Sequence, residues 1–169
     1  MARPFDVSAE ANAEVSDVLA AFGTRDYWLA RLAAYGGDSM TLDSLTVEPD
    51  GAIVVQTTQD LRQDMLPGQI GRMLPGDTSI TRRESWRPSV DASEVHGEFG
   101  ITARGVPSSG SGTMVLQAIP SGSRLRVRGT VEVKIPFMGG RIERYVADLI
   151  ARDVPQMQQF TASWIAGKA

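Results

Sequence analysis

Two opposite charges, Arg82 and Glu84, stand in a segment whose alternation predicts a β-strand. The same alternation places them on one face with Ile80 and Trp86. Because a buried charge is costly unless it is paired, two interpretations follow if this face points inward. The charges either anchor the polar group of a ligand inside an apolar cavity or satisfy each other. A bulge that turns both outward is the third interpretation, and it is common in strongly bent sheets.

Asp153 is the second candidate for chemistry. On a helical wheel that begins at Ile142, it falls near the middle of the apolar stripe. A carboxylate there is either a cavity group or the N-cap of a second helical segment, because Pro155 is expected to kink or break the helix. The capping interpretation is favoured, since it accounts for the proline as well.

His96 is the only histidine, and the chain has no cysteine. On an alternating strand His96 shares a face with Glu98, opposite Val95 and Phe99, so it is predicted to point to solvent. Neither a G-x-S-x-G elbow nor a phosphate or dinucleotide loop is present. We therefore expect no catalytic set, no metal site and no cofactor, and we favour a protein that is not an enzyme.

Large flexible and aromatic side chains offer the lining that a cavity for an apolar molecule requires. Methionine suits such surfaces because its side chain adapts to different shapes, although methionines at regular spacing also fill cores. Both interpretations stay open. Together with the polar candidates, the predicted ligand-binding set is Met65, Leu66, Met73, Arg82, Glu84, Trp86, Phe99, Met114, Met138, Tyr145, Leu149, Asp153 and Met157.

The composition predicts one globular domain over residues 1–169. Hydrophobic residues make up 42% and charged residues 22% of the chain, which is typical of a packed core. The net charge of -3 gives no general attraction to phosphate backbones, so no nucleic-acid partner is expected. The amino terminus lacks an apolar signal-like stretch and no run suffices to span a bilayer, so we expect a cytoplasmic protein without stable membrane insertion.

Changes in the spacing of apolar residues along the chain predict the helices and strands that position these residues. The first part of the chain predicts an extended segment at residues 3–9 and helices at 11–21 and 26–35, the second with Thr24 as its N-cap. Alternation at residues 40–47 and 52–61 then predicts a hairpin around a Pro-Asp-Gly turn.

Residues 65–76 carry two Leu-Pro-Gly sequences around a short apolar piece, which predicts a lid or crossover loop with one or two helical turns. Further strands are predicted at 79–87, 94–104, 113–119 and 124–135, with residues 108–112 as a flexible connector.

The end of the chain carries the clearest patterns. In the last predicted strand, apolar residues occupy one face while Arg124, Arg126 and Arg128 occupy the other, which we expect to be solvated. A long amphipathic helix follows, with apolar residues at helical spacing from Ile142 to Trp164.

This order predicts an α+β architecture in which one long helix covers a single sheet. It resembles the START-like superfamily, also called SRPBCC, which includes plant pollen-allergen proteins, lipid-transfer START domains and aromatase/cyclase domains. The resemblance implies a helix-grip fold: a curved antiparallel sheet of about six to seven strands wrapped around a long C-terminal helix, with two short helices after the first strand.

Local motifs look like an uncharacterised bacterial branch of that superfamily. The main one is the strand-to-helix junction at residues 131–143, and shorter ones are Gly105-Val106-Pro107, Ser111-Gly112-Thr113 and Glu84-Ser85-Trp86. At the junction, Pro136 is expected to stop the strand, two glycines to turn the chain, and Glu143 to sit in the first helical turn, where the dipole favours a carboxylate. No catalytic residue transfers with this resemblance.

The function predicted first is binding or carriage of a small hydrophobic molecule, such as a lipid, an isoprenoid or a polyketide-like compound, in an internal cavity. The lid loop would gate entry, and Arg82, Glu84, Tyr145 or Asp153 would orient the polar end. One alternative is a polyketide cyclase/dehydratase-like enzyme in which Tyr145, Asp153 or Glu84 moves a proton. The other is a ligand-free interaction or stress-response module with a filled core.

Overall fold

The computed structural model describes residues 2–61 and 66–168, which form one antiparallel sheet and four α-helices. The elements in chain order are β1 (Arg3–Ala11), α1 (Val15–Phe22), α2 (Arg25–Gly36), a 3-10 turn (Gly37–Ser39), β2 (Met40–Val47), β3 (Ile53–Asp60), α3 (Gly68–Met73), β4 (Ser79–Pro88), β5 (Glu94–Arg104), β6 (Ser108–Ile119), β7 (Gly122–Val133) and α4 (Gly139–Ile165).

The seven strands pair in the order β1-β7-β6-β5-β4-β3-β2, so each strand after β1 lies beside its sequence neighbour and β1 joins the far edge next to β7. Helix α4, 27 residues long, packs mainly against β1 and β7. The predicted helix-grip architecture is therefore confirmed. None of the helices in the described part of the chain combines the length and the apolar character needed to cross a membrane.

The concave face is packed in two apolar clusters. The larger cluster joins α1 and α2 to the middle of the sheet, where the Phe22 ring packs at tilted angles against Tyr27, Trp28 and Trp86. The smaller cluster joins α3 to the end of β7 and the start of α4. Aromatic side chains from α1 and α2 thus fill one half of the grip, and α3 covers the other half.

Two glycines lie between these halves, in one row across the sheet. Gly129 pairs with Phe5 on one side and Gly112 on the other, and Gly112 pairs in turn with Phe99. The phenylalanine rings lean over the glycines and stack with centroids 6.1 Å apart. A Cβ atom on Gly112 would lie 2.0 Å from the Arg128 carbonyl oxygen and 2.8 Å from the Phe99 ring. Only a residue without a side chain fits there.

Residues 108–112 were predicted as a flexible connector, and this prediction is wrong. They begin β6 and pair with β7 from Ser108 opposite Val133 to Gly112 opposite Gly129. Serine and glycine have little intrinsic preference for strands, but pairing with a neighbour on each side fixes the backbone here. Tertiary contacts override the local preference.

Helix boundaries at the start of the chain also differ from the expectation. Helix α1 begins at Val15, because β1 continues to Ala11, opposite Ser123 of β7. Thr24 occupies the N-cap position of α2 as predicted, but its hydroxyl donates to the Ala20 carbonyl of the preceding helix.

Pro155 does not end the last helix, so the prediction that Asp153 caps a second segment is wrong. Helix α4 continues through the proline to Ile165. The proline lacks the N–H that would bind the carbonyl of Ala151. Ala151 is exposed, so water can satisfy that carbonyl and the cost of the missing hydrogen bond is small.

The junction between β7 and α4 is held differently from the expectation. Glu143 lies in the second turn of α4, where the helix dipole has little effect, and its buried Oε1 accepts a hydrogen bond from the Val133 backbone N–H at 2.9 Å. The carboxylate therefore fixes the end of the strand against the helix. A Cβ on Gly139 would lie 2.1 Å from the Val133 carbonyl oxygen, so this glycine permits the close approach.

Replacing Gly112 with alanine is expected to destabilise the fold by about 2–3 kcal/mol, because the new methyl group overlaps the β7 backbone and the Phe99 ring. Gly100→Ala is the matched control, since a Cβ on Gly100, also within the sheet, meets nothing within 4 Å. Urea denaturation of both variants gives the two free energies of unfolding. Equal stability of the two variants would contradict the packing described here.

Candidate functional site

A cavity of about 560 Å³ lies between the concave face of the sheet, α3 and α4. Its wall is mostly apolar and draws on both clusters of the core. The apolar side chains along it include Phe5, Leu61, Leu66, Ile70, Leu74, Ile80, Phe99, Ile101, Val106, Val131, Val133, Ile142, Val146, Leu149 and Ile150. Such a volume and lining are typical of sites for small organic molecules.

The unfilled space follows from small residues on the sheet. Gly110 lines the cavity on β6, opposite Ile101 and Val131, and Ala103 lines it near the end of β5. The glycine row beside them lets the Phe5 and Phe99 rings sink toward the sheet. The cavity is thus built into the sequence of three neighbouring strands.

Six of the predicted ligand-binding residues lie on this wall. They are Leu66, Phe99, Tyr145, Leu149, Asp153 and Met157. They come from β5, α4 and the segment before α3. The structure brings these six together around one space, and their role in binding stays a prediction.

The other predicted residues lie elsewhere. Trp86 and Met114 are buried in the larger cluster, where they fill the core, and Met73 is exposed on α3. Met138 occupies the N-cap position of α4. Met65 lies outside the described residues. The remaining two, Arg82 and Glu84, form a separate polar group.

Arg82 and Glu84 point inward and satisfy each other, as one of the three interpretations proposed. Arg82 Nε lies 2.8 Å from Glu84 Oε2, although its N–H is not aimed along a good hydrogen bond. The Glu84 side chain is only 3% exposed, and its Oε1 accepts a hydrogen bond from Trp86 Nε1 at 3.2 Å. The Arg82 guanidinium also packs over the Phe99 ring, 5.4 Å from its centroid. These charges are thereby anchored beside the cavity wall.

A second cation, Arg31 of α2, was not singled out from the sequence. Its Nη1 donates to Tyr27 Oη at 3.4 Å, its Nη2 approaches Met157 Sδ at 2.9 Å, and its guanidinium lies over the Trp28 ring. Burial lowers the pKa of Arg31, but attraction to Tyr27 and Glu84 outweighs this, and the pKa is raised above its usual value. Glu84 therefore interacts favourably with two guanidinium groups: it forms an ion pair with Arg82 and attracts Arg31 electrostatically.

A signal for Arg31 existed in the spacing of α2. Tyr27, Arg31 and Tyr35 recur every four residues, so they lie on one face of the helix. Tyr27 at the inner end hydrogen-bonds to Thr161 of α4 at 2.7 Å, and Tyr35 at the other end lines the cavity. Tyr27, Arg31 and Tyr35 thus form a polar stripe along α2 that runs from the core to the cavity.

Besides its apolar side chains, the cavity lining includes Tyr35, Gln59, Thr78, Ser108, Ser109, Thr130, Arg152, Asp153 and Gln156. Tyr35 and Asp153 lie close enough for their charges to interact, and these two residues are called the polar end of the cavity. Burial raises the pKa of Tyr35. The positive charge of Arg31 lowers this pKa and interactions with Asp153 and Tyr27 raise it, so that the pKa of Tyr35 is higher than its usual value. The phenol thus keeps its proton at neutral pH. Arg152 Nε donates a hydrogen bond to Asp153 Oδ1 at 3.4 Å; in this ion pair the Asp153 side chain is 27% exposed and the Arg152 side chain is 64% exposed.

His96 lies outside the cavity. Its side chain is exposed, as predicted, and its Nε2 lies 2.9 Å from Glu94 Oε2. Among residues 2–61 and 66–168, no three acidic or histidine side chains are close enough together to hold a metal ion.

The fold is similar to that of solved structures of the helix-grip kind. Ara h 8.0201 has a TM-score of 0.55 at 11% identity, covering 99% of each chain. The Zhui aromatase/cyclase from Streptomyces sp. R1128 has a TM-score of 0.55 at 11% identity, covering 98% of this chain and 94% of the other. At these identities the likeness concerns the fold alone, and it shows that the chain shares the helix-grip architecture of these structures.

The family of the chain is shown by its sequence. Residues 6–165 match the family described as "Protein of unknown function (DUF2505)". The uncharacterized protein Rv0481c of Mycobacterium tuberculosis H37Rv is 38% identical over 171 residues, which cover 98% of each chain. The chain therefore belongs to this family.

Replacing Glu84 with glutamine is expected to destabilise the protein by about 3 kcal/mol, because two guanidinium groups lose their buried counter-charge. The control is Glu94→Gln, which removes an exposed partner of His96 on the same sheet and is expected to cost less than about 1 kcal/mol. Denaturant unfolding at pH 7 compares the two. A cost for Glu84→Gln as small as that of the control would contradict the charge arrangement.

Proposed function

We propose that the protein binds a small, largely apolar molecule in the cavity between the sheet, α3 and α4. The observation that carries this proposal is the cavity itself, about 560 Å³ in volume and lined mostly by apolar side chains. A wall of this kind favours occupation by an apolar molecule, because water gains few hydrogen bonds there. Lipids, isoprenoids and polyketide-like compounds are the candidate classes.

Binding would draw its free energy from apolar burial. Removing apolar surface from water contributes roughly 25 cal/mol per Å², before the cost of ordering the ligand. Arg82 and Glu84 form an ion pair beside the cavity wall, so this pair would not have to be separated when an apolar molecule enters the cavity. The Phe5 and Phe99 rings would offer a flat surface for stacking against a ring system.

The segment around α3 is the proposed gate. Leu66, Ile70 and Leu74 line the cavity from this side, and Pro67 and Pro75 flank the short helix. The helix is tied to α4 by a hydrogen bond from Arg141 Nη1 to Gln69 Oε1 at 3.3 Å on the protein surface. One exposed hydrogen bond and a few apolar contacts are weak enough to open when a ligand enters.

Val146→Trp is expected to weaken binding of the neutral fluorescent probe N-phenyl-1-naphthylamine at least about tenfold, because the indole would occupy the cavity. Fluorescence titration of the folded variants measures the dissociation constant. Ala151→Trp, at an exposed position of the same helix, is the control and should bind as the unaltered protein does. Unchanged affinity in the folded Val146→Trp protein would contradict this site.

A second candidate function is a cyclase or dehydratase activity. It is favoured by one observation: Asp153 and Tyr145, both able to carry a proton, line the same cavity. Conversion of a polyketide-like substrate that is lost in Asp153→Asn would support this function. Binding of such a substrate without conversion would leave the carrier function as the better account.

A further inference from the structure

The charged groups in the described part of the cavity wall form an ion pair, in which Arg152 Nε donates a hydrogen bond to Asp153 Oδ1 at 3.4 Å. Within the described lining, Arg152 and Asp153 are the charged residues. The Arg152 side chain is directed mainly to solvent, whereas Asp153 is mostly enclosed. The carboxylate is the less exposed member of this pair, so it is the charged group that we expect a bound molecule to meet first.

Two further cations near the cavity, Arg82 and Arg31, are engaged by other groups. Arg82 is paired with Glu84 and covered by the Phe99 ring. Arg31 contacts Tyr27, Trp28 and the sulfur of Met157, and it is Met157 that lines the cavity. An anionic headgroup would thus meet a phenylalanine ring or a thioether before it reached the guanidinium of Arg82 or Arg31.

The groups beside Asp153 reinforce this polarity. Tyr35 keeps its proton at neutral pH, as described above, and its oxygen can both accept and donate a hydrogen bond. Gln59 and Gln156 also line the cavity, and each side-chain amide can accept and donate hydrogen bonds. The carboxylate is therefore the group that distinguishes between ligands: it suits a ligand that donates hydrogen bonds and repels one that carries a negative charge.

Resting on the proposed binding function, we infer that the ligand is an apolar molecule with a hydrogen-bond donor at one end, a hydroxyl or a protonated amine, and not a carboxylate. The apolar body lies along α4 and the sheet, and the donor reaches Asp153 at the polar end. A free carboxylic acid, ionised at neutral pH, places a second negative charge against Asp153 and is disfavoured.

Three ligands of equal chain length test this inference: 1-decanol, decylamine and decanoic acid. Each competes at pH 7.4 against N-phenyl-1-naphthylamine bound to the full chain. We expect decanol and decylamine to displace the probe at concentrations about tenfold lower than decanoic acid, since a hydrogen bond to a charged group is worth roughly that ratio. Asp153→Asn should reduce the difference to about twofold or less, by weakening the donors and strengthening the acid.

Asp148→Asn provides the matched control, because Asp148 is an exposed carboxylate on the same helix and does not line the cavity. It should keep the preference of the unaltered protein. Equal displacement by all three ligands, tighter binding of decanoic acid, or an unchanged preference in Asp153→Asn would overturn the inference while binding itself stands. Failure of the probe and of all three ligands to bind would instead overturn the proposed function, and the inference with it.

Discussion

The stacked rings of Phe5 and Phe99, lying over the two glycines of the neighbouring strands, are the constraint on which the rest of the structure depends. They separate the half of the concave face that α1 and α2 fill from the half that stays hollow. Side chains on Gly112 or Gly129 would overlap the rings or the adjacent backbone, and the sheet could not bring the two phenylalanines together. The absence of side chains at Gly112 and Gly129 therefore shapes the cavity as much as the side chains that line it.

Buried polarity is organised along the same boundary. Glu84 pairs with Arg82 and attracts Arg31 electrostatically, and the polar stripe on α2 continues to Tyr35 at the cavity. A buried ion pair contributes little net stability compared with well-packed apolar side chains, but it penalises any packing that separates the partners. The arrangement fixes how α2 and α4 sit over the sheet, and with them the polar end of the cavity.

The sequence predicted the architecture well because alternation and helical spacing are strong along most of the chain. β5 was predicted with the observed bounds. Alternation placed Arg82 and Glu84 on one face with Trp86, but it left open whether a bulge turns them outward; the structure shows the inward, paired arrangement. Residues 108–112 were wrongly predicted as a connector, because local preference does not reveal that strands pair with them on both sides. Pro155 was wrongly predicted to break the helix, because local preference does not reveal that the carbonyl it leaves unpaired is exposed to water.

The site itself was harder to predict. Phe99, Tyr145 and Asp153 were placed correctly on inward faces, but a face does not reveal whether the space before it is filled. Met114 occupies core and Met157 occupies cavity wall, although both are methionines on inward faces. The role of Arg31 was missed because no partner was considered for a charged residue at this position of α2. Its spacing of four residues from Tyr27 and from Tyr35 was the available signal.

Native mass spectrometry of the purified protein, with organic extraction of the same sample, tests the central claim most directly. The account predicts a stoichiometric adduct of a small apolar molecule, recovered in the extract and released when the protein unfolds. A protein that shows only its own mass, and that takes up nothing from a panel of lipids and polyketide-like compounds, would contradict it and would favour an interaction module that holds no ligand.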